Sequence, residues 1–427
     1  FRRLFHRKSR ADSLPPRHAG LGTIKDPTGG WELDEAIAIC YAAPQSYTGE
    51  DMVEFSLHGS PVLVAALLDC LCDCGARPAD PGEFTLRAFL HGRLDLAQAE
   101  AVHDLIQATT LFQARVAVRQ SSGELSRSLK PFKDMLIDII VDLESAVEFA
   151  EEDLPVASRA DLGEKLERIR VRLREWMDTY RRGRIVREGF RMAVAGRPNV
   201  GKSSVFNALL AEDRSIVAEM PGTTRDMVSE LTNIEGIPVR LQDTAGIRPA
   251  GDPVEKMGID RSYQAIADAD AVLLVVDTSR GPTAEDLDLR KRLDPLSCIV
   301  VMNKSDLTTA WSAEEMAEFA GEWPSLEVSA KTGAGIDRLR SAILSRVMGP
   351  GGAGQEGVLI TNLRHFHALR DAENDLARAA DSLDEGLSEE FALVYLHGGL
   401  KKLGTLTGET GVEDILGEIF SRFCIGK

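Results

Sequence analysis

Gly196-Arg197-Pro198-Asn199-Val200-Gly201-Lys202-Ser203 is the stretch on which the fold turns. It fits G-x-x-x-x-G-K-S, and its setting agrees with that motif. The apolar run Met192-Ala193-Val194-Ala195 reads as a strand before it, and Ser203 to Leu210 reads as a helix after it. The backbone N–H groups of such a loop, together with the helix N-terminus, concentrate positive potential where a β-phosphate sits. Lys202 is expected to contact the β- and γ-phosphates and the Ser203 hydroxyl to ligate Mg²⁺, with Asn199, Val200, Gly201 and Ser204 completing the phosphate side.

Further motifs follow in a fixed order. Asp243-Thr244-Ala245-Gly246 comes after the strand Val239 to Leu241. A carboxylate at a strand end can hold Mg²⁺ through water, while the Gly246 N–H can sense the γ-phosphate. Between the two motifs lies Gly222-Thr223-Thr224-Arg225-Asp226, where a threonine hydroxyl can complete the metal shell only when the γ-phosphate is present. The spacing alone does not choose between Thr223 and Thr224. Asn303-Lys304-Ser305-Asp306 follows the strand Ile299 to Met302. The Asp306 carboxylate can accept both donors on the guanine edge; adenine offers no such pair and would leave a carboxylate unmatched. Ser329-Ala330-Lys331 follows Leu326-Glu327-Val328 and can offer a backbone N–H to the guanine carbonyl. Four elements in this order specify GTP and not ATP. Ile247 stands where Ras-type GTPases carry the glutamine that orients the attacking water. Isoleucine cannot do this, so a group from elsewhere, an ion or a partner must; Arg248, Asp252 and Glu255 are the candidates nearby.

The 427 residues are too many for one core, and the period of the apolar residues changes along them. Residues 1–93 mix short apolar runs with turn chemistry such as Gly59-Ser60-Pro61, an α+β pattern. Residues 94–188 read as long helices, among them Ala97 to Thr109, Phe112 to Leu129 and Lys133 to Phe149, with Pro131 and Pro155 between helical runs. Residues 189–347 alternate short apolar strands with helices, the pattern of a mainly parallel sheet. Helical period resumes after a glycine-rich break and fills 348–427. The expected fold class is therefore multidomain α/β: an N-terminal α+β domain, a helical domain built from the middle and C-terminal segments, and an inserted Ras-like P-loop α/β GTPase domain.

Composition narrows the function classes. The apolar fraction is 44% and the charged fraction 27%, which suits a globular protein. No run of about 18 uncharged apolar residues offers a membrane span. A formal charge of −17 argues against nucleic-acid binding by bulk electrostatics. Against that balance stand Arg2, Arg3, Arg7, Lys8 and Arg10, and the series Arg168, Arg170, Arg172, Arg174, Arg181, Arg182, Arg184 and Arg187. The second series reads first as a solvated helix face with Glu164, Glu167 and Glu175 as partners, and second as an RNA-facing patch. Cys70, Cys72 and Cys74 lack a second pair at metal-ligand spacing and read as buried free thiols in a reducing cytoplasm. The chain opens at Phe1 in a basic stretch and not a signal peptide, and its true N-terminus is expected to lie upstream.

Beyond the nucleotide motifs, three long strings carry a resemblance. They are Tyr47-Thr48-Gly49-Glu50-Asp51-Met52-Val53-Glu54 with His58-Gly59, the stretch from Pro81-Gly82-Glu83-Phe84 to Gln98-Ala99-Glu100, and the terminal Phe420-Ser421-Arg422-Phe423-Cys424-Ile425-Gly426-Lys427. With the GTPase motifs, the chain resembles the MnmE (TrmE) family of bacterial tRNA-modification GTPases over essentially its whole length. That resemblance implies a tetrahydrofolate-binding, dimerising N-terminal domain. It implies a homodimer that acts with an FAD-dependent partner of the MnmG (GidA) type on carbon 5 of the wobble uridine of certain tRNAs. 5,10-Methylenetetrahydrofolate is then the one-carbon donor and glycine or ammonium the amine source.

Residue by residue, Glu54, Arg93 and Lys427 match family folate contacts, although the family often has lysine at the position of Arg93; Cys424 is a possible catalytic thiol in the tail. Thr224 is the family's metal-shell threonine. Asn199, with the loop positions Ala218, Met220 and Thr223, matches the family's K⁺ site, and Glu255 matches the glutamate that positions the attacking water. GTP, Mg²⁺, K⁺ and a folate are thus the implied cofactors. The competing expectation is a regulatory GTPase switch on ribosomes or membranes, which needs no folate site.

Overall fold

A computed structural model describes residues 3–7, 14–148, 158–210, 229–243, 266–294, 296–348, 357–410, 416, 419–421 and 423. Its contacts divide the chain into two compact units. One gathers residues 1–103, 119–159 and 378–427; the other gathers 104–118 and 160–377.

The first unit begins with an antiparallel sheet in the order β1 (Phe5–Arg7), β2 (Ala19–Lys25), β3 (Glu32–Tyr41) and β4 (Met52–Ser56). Alternation along the strands turns Ile24, Ala36 and Ala38 inward, where they meet Leu67 of α1 (Pro61–Asp73). Pro61 at the first turn suits a helix start, since its missing N–H would have no intrahelical partner there. Helix α1 corrects one expectation: Cys70 is buried, Cys74 is half-buried and Cys72 is exposed. At about 100° per residue, positions two apart cannot share a helix face.

Helices α2 (Glu83–Leu90) and α3 (Leu96–Gln107) follow, then α4 (Leu111–Ser121) and α5 (Glu124–Glu148). The break expected near Pro131 falls instead at Gly123, whose φ is 82°, and Pro131 lies inside α5. A left-handed glycine ends a helix at little cost, whereas one missing N–H inside a long amphipathic helix is offset by packing. Leu136, Ile139, Ile140 and Leu143 of α5 are buried, as are Leu396 and Leu403 of the later helix Glu389–Thr407 that packs on it.

The second unit holds a six-stranded sheet. Its strands are β5 (Phe190–Ala195), β6 (Ser229–Ile234), β7 (Ile237–Asp243), β8 (Ala271–Asp277), β9 (Cys298–Asn303) and β10 (Ser325–Glu327). They lie in the order β10-β9-β8-β5-β7-β6, with every neighbouring pair parallel except β6 and β7. Strands β8 and β9 are buried along their whole length, which explains their unbroken apolar sequence.

Alternate side chains feed two cores. Val194, Leu273, Val275 and Val301 meet Val205 and Leu209 of the helix Lys202–Leu210 and Leu339 and Ile343 of the helix Ile336–Met348. Ala193, Leu274, Val276 and Val300 meet Leu293, Trp311 and Phe319 on the other face. Helices on both faces make a doubly wound sheet, and ligands of such sheets bind at the carboxyl ends of the strands. The helix Ala284–Leu293 carries a capping box in which Thr283 and Asp286 satisfy each other's backbone N–H groups.

Candidate functional site

The carboxyl ends of β5, β8, β9 and β10 collect the expected nucleotide residues. The loop from Gly196 to Gly201 leaves β5 and feeds the helix Lys202–Leu210. Two of its glycines are obligatory. At Gly196 (φ 149°) an added Cβ would lie 2.4 Å from the Val275 carbonyl oxygen, and at Gly201 (φ 96°) 2.2 Å from Asn303 Nδ2. Val200 is buried and pins the loop to the sheet. Lys202 is buried as well, and its Nζ donates to the carbonyls of Gly196 at 2.7 Å and Arg197 at 2.9 Å. Ser203 and Ser204 are exposed at the start of the helix.

The base-reading motif touches the phosphate loop directly. Asn303 Nδ2 donates to the Val200 carbonyl at 2.9 Å, and Asn303 Oδ1 accepts from the Ala330 N–H at 3.1 Å. One side-chain amide thus joins the loop after β5 to the loop after β10. Lys304 Nζ donates to the Asn199 carbonyl at 3.1 Å and to Asp277 Oδ2 at 2.6 Å. Ser329 Oγ donates to Asp306 Oδ1 at 2.7 Å, and this bond is the main cause that holds the Asp306 carboxyl below its ordinary range. Asp306 is exposed and fixed in orientation, an acceptor pair ready for two donors; Lys331 is exposed beside it.

Lys202 and Asp306 therefore belong to one end of one sheet, connected through Asn303. Val194 pairs with Asp243 in the β5–β7 ladder, so the backbone of Asp243 ends its strand beside the same loop. The side chain of Asp243 and the residues Ala218, Met220, Thr223, Thr224, Thr244, Ala245, Gly246 and Glu255 lie outside the described residues.

Three supporting residues escaped the motif reading. Asp277 ends β8, is buried, and binds Lys304 and Ser279. Burial alone would raise its carboxyl, but the hydrogen bonds from Lys304 and Ser279 outweigh that, and the pKa lies below the ordinary value. Arg197 in the phosphate loop pairs with buried Asp286, Nε to Oδ2 at 3.0 Å. Only a carboxylate closing the apolar run Ala271 to Val276 could have signalled Asp277; nothing local signals that Asp286 reaches Arg197.

The expected folate residues are less connected. Glu54 lies exposed on β4, where Tyr41 Oη donates to its Oε2 at 3.0 Å. Arg93 is exposed just after α2, with its stem near Gly49. Lys427 and Cys424 lie outside the described residues. Phe420 and Phe423, immediately before them in the chain, pack with Leu86 and Phe89 of α2 and Leu96 of α3. A cavity of about 250 Å³ in the same unit is lined by Glu50, Arg77, Glu83 and Arg87 among others, and by neither Glu54 nor Arg93.

The arginine series takes the first of its two expected forms. Arg168 pairs with Glu164, Arg170 and Arg174 share Glu167 and Glu373, and Arg172 pairs with Glu175. Arg184 binds Asp270 and Arg187 binds Asp104. Six of the eight arginines in the series thus have carboxylate partners.

Comparison with known proteins bears on the same residues. A family model described as the MnmE helical domain matches residues 96–424, and one described as the GTP-binding protein TrmE N-terminus matches residues 1–93. The tRNA modification GTPase MnmE of Aquifex aeolicus (strain VF5) is 44% identical over 416 residues, 97% of this chain and 91% of that protein. Its counterpart in Koribacter versatilis (strain Ellin345) is 43% identical over 97% of this chain and 90% of its own length. Among solved structures, the G domain of the T. maritima FeoB iron transporter is 29% identical, covering 37% of this chain and 98% of that one at a TM-score of 0.29.

Proposed function

The chain belongs to the MnmE family of tRNA modification GTPases, and we propose that it hydrolyses GTP at the carboxyl end of its six-stranded sheet in the service of tRNA modification. One observation carries the nucleotide part: Asn303 ties the phosphate loop to the Ser329–Ala330 turn while Ser329 orients the Asp306 carboxylate. Phosphate cradle and base reader then serve one guanine nucleotide. The Lys202 ammonium, already positioned inside its loop, meets the β- and γ-phosphate oxygens by exchanging carbonyl contacts for charged ones. Asp306 accepts two N–H donors from guanine, and a backbone N–H of the Ser329-Ala330-Lys331 turn other than the one held by Asn303 would meet the base carbonyl. Adenine would leave the carboxylate opposite an edge that cannot pair, which is the basis of selectivity.

Part of the lining these cofactors would need lies among the described residues. Gly196 and Gly201 let the loop backbone lie against the Val275 carbonyl and the Asn303 amide, which no side chain there would allow, and Ser203 stands at the start of the following helix. Ser203, Thr224 and Asp243 would hold Mg²⁺, directly or through water, to neutralise charge on the phosphates. Asn199, in the left-handed conformation with φ 65°, would hold K⁺ with the backbone of Ala218, Met220 and Thr223, supplying charge where other GTPases use an arginine. Glu255 would orient the attacking water, the task Ile247 cannot perform.

In the N-terminal domain, 1–93, Glu54 and Arg93 would contact a tetrahydrofolate, joined by Lys427 of the tail. The packing of Phe420 and Phe423 against α2 supports this, because it brings the start of that tail to the helix that precedes Arg93. The helical segments 94–188 and 348–427 would flank the GTPase domain 189–347. A homodimer working with an FAD-dependent partner would then use the folate-borne carbon to build the aminomethyl or carboxymethylaminomethyl group on carbon 5 of wobble uridine.

Mass spectrometry of tRNA nucleosides from cells lacking the protein tests the reading. Loss of the 5-substituted wobble uridine, restored by the parent and not by Lys202→Ala, is the expected result. An unchanged nucleoside profile, with no tetrahydrofolate binding by calorimetry, would favour a regulatory switch instead.

A further inference from the structure

Strand β8 lies between β5, which carries the phosphate loop, and β9, which carries the base reader. Its last residue, Asp277, pairs with Asn303 in the β8–β9 ladder, so its side chain emerges between the two loops. The carboxylate is fully engaged. Ser279 donates to Oδ1 through its N–H at 3.0 Å and its hydroxyl at 2.6 Å, and Lys304 Nζ donates to Oδ2 at 2.6 Å. The same ammonium donates to the Asn199 carbonyl at 3.1 Å.

Two members of this chain of bonds sit in uncommon backbone. Asn199 has φ 65° and Lys304 has φ 67°, left-handed conformations that non-glycine residues keep only where their surroundings enforce them. A buried carboxylate that anchors one cation, which in turn grips one loop carbonyl, is such an enforcement. Lys304 is only 32% exposed, so its charge needs that counter-ion in place.

We propose that Asp277 is a positioning residue of the nucleotide site: acting through Lys304, it holds the Asn199 carbonyl and so keeps the outer turn of the phosphate loop in its nucleotide-binding shape. It touches no part of the nucleotide itself. The phosphate loop and the base reader are then coupled twice, by the Asn303 amide and by the Asp277–Lys304 pair. This inference rests on the reading of the two loops as one guanine-nucleotide site.

A fluorescent GDP analogue titrated against the full chain with Mg²⁺ and K⁺ tests it, using Asp277→Asn, Lys304→Met and the double variant. Asp277→Asn keeps the shape and removes the charge. It is expected to weaken binding about tenfold, the effect of losing one hydrogen bond to a charged group. The double variant is expected to bind within about twofold of Lys304→Met alone, because the carboxylate acts only through that lysine. Asp277→Asn binding like the parent, or losses that multiply in the double variant, would overturn the proposal. A purely structural role lowers stability in both backgrounds without producing that non-additivity. Should Asp277→Asn alone fail to fold, the comparison of the double variant with Lys304→Met still decides. The reading of the site is judged separately, by whether the parent binds and whether Asp306→Asn moves the preference towards xanthine nucleotide. A parent that binds, with Asp306→Asn shifted and Asp277→Asn silent, sinks this inference alone.

Discussion

The two units assemble their candidate sites by different means. At the end of the six-stranded sheet, residues more than a hundred positions apart are already hydrogen-bonded to one another: Asn303 to Val200, Lys304 to Asn199. In the other unit, Glu54 and Arg93 stand exposed, and no hydrogen bond or ion pair joins them. A parallel sheet delivers consecutive loops to one edge by its topology alone, so a nucleotide pocket is built before any ligand arrives. A site made of a mid-strand carboxylate, a post-helix arginine and a residue far along the chain has no such guarantee.

That contrast can be broken at several points. Lys202→Ala should have the largest effect, removing the ammonium that meets the phosphates; GTP turnover should fall by about 10²-fold or more, as for other preorganised charge stabilisers. A turnover assay that finds the variant fully active would place the phosphates elsewhere. Asp306→Asn should come next, weakening GTP and favouring xanthosine triphosphate by roughly 10- to 100-fold, since one acceptor becomes a donor. Competition titrations with the two nucleotides measure this, and an unchanged preference would mean that Asp306 does not read the base.

Glu54→Gln should weaken tetrahydrofolate by about tenfold in calorimetry, the loss of one charged hydrogen bond. If the sites differ as described, it should leave GTP turnover by the isolated chain unchanged. A joint loss of both would show that the units share more than the present contrast allows.

The smallest effect expected is in acid. Hydrogen bonds from Arg77 above all, then from the Asp80 N–H and Arg87, hold the Glu83 carboxyl at about 2 against an ordinary 4.5. A folded pKa below the unfolded one means that the unfolded chain binds more protons between those values. The contribution is therefore present above pH 4.5 and is lost as pH falls towards 2. Glu83→Gln should flatten this part of the acid unfolding curve, followed by circular dichroism. A parallel curve would show that the carboxyl is not linked to folding. The same cluster shows that the N-terminal unit does contain one tied set of charges, Glu50, Arg77, Glu83 and Arg87, but at a different place from Glu54.

What the sequence made legible follows from how local each signal is. The phosphate loop, the Asn303–Asp306 motif and the apolar runs of β5, β8 and β9 are short strings whose neighbours decide their conformation, and the structure places these strands and loops as read. The break between α4 and α5 was misplaced because proline advertises itself more loudly than a left-handed glycine; Pro131 stands exposed inside α5, whose other face is held by its buried leucines and isoleucines. Cys72 was misread because apolar composition says nothing about which side of α1 faces the sheet. The partners of Asp277 and Asp286 were invisible for a third reason. Each carboxylate acts on a residue brought near only by the order of the strands, and no spacing in the chain records that.

The central claim is that one guanine nucleotide spans Lys202 and Asp306. A crystal structure of the full chain with GDP and Mg²⁺ tests it most directly. The account predicts Lys202 Nζ within hydrogen-bonding distance of a β-phosphate oxygen and both Asp306 carboxylate oxygens facing the N–H groups of the same base. A nucleotide whose phosphates lie on Lys202 while its base points away from Asp306 would contradict it.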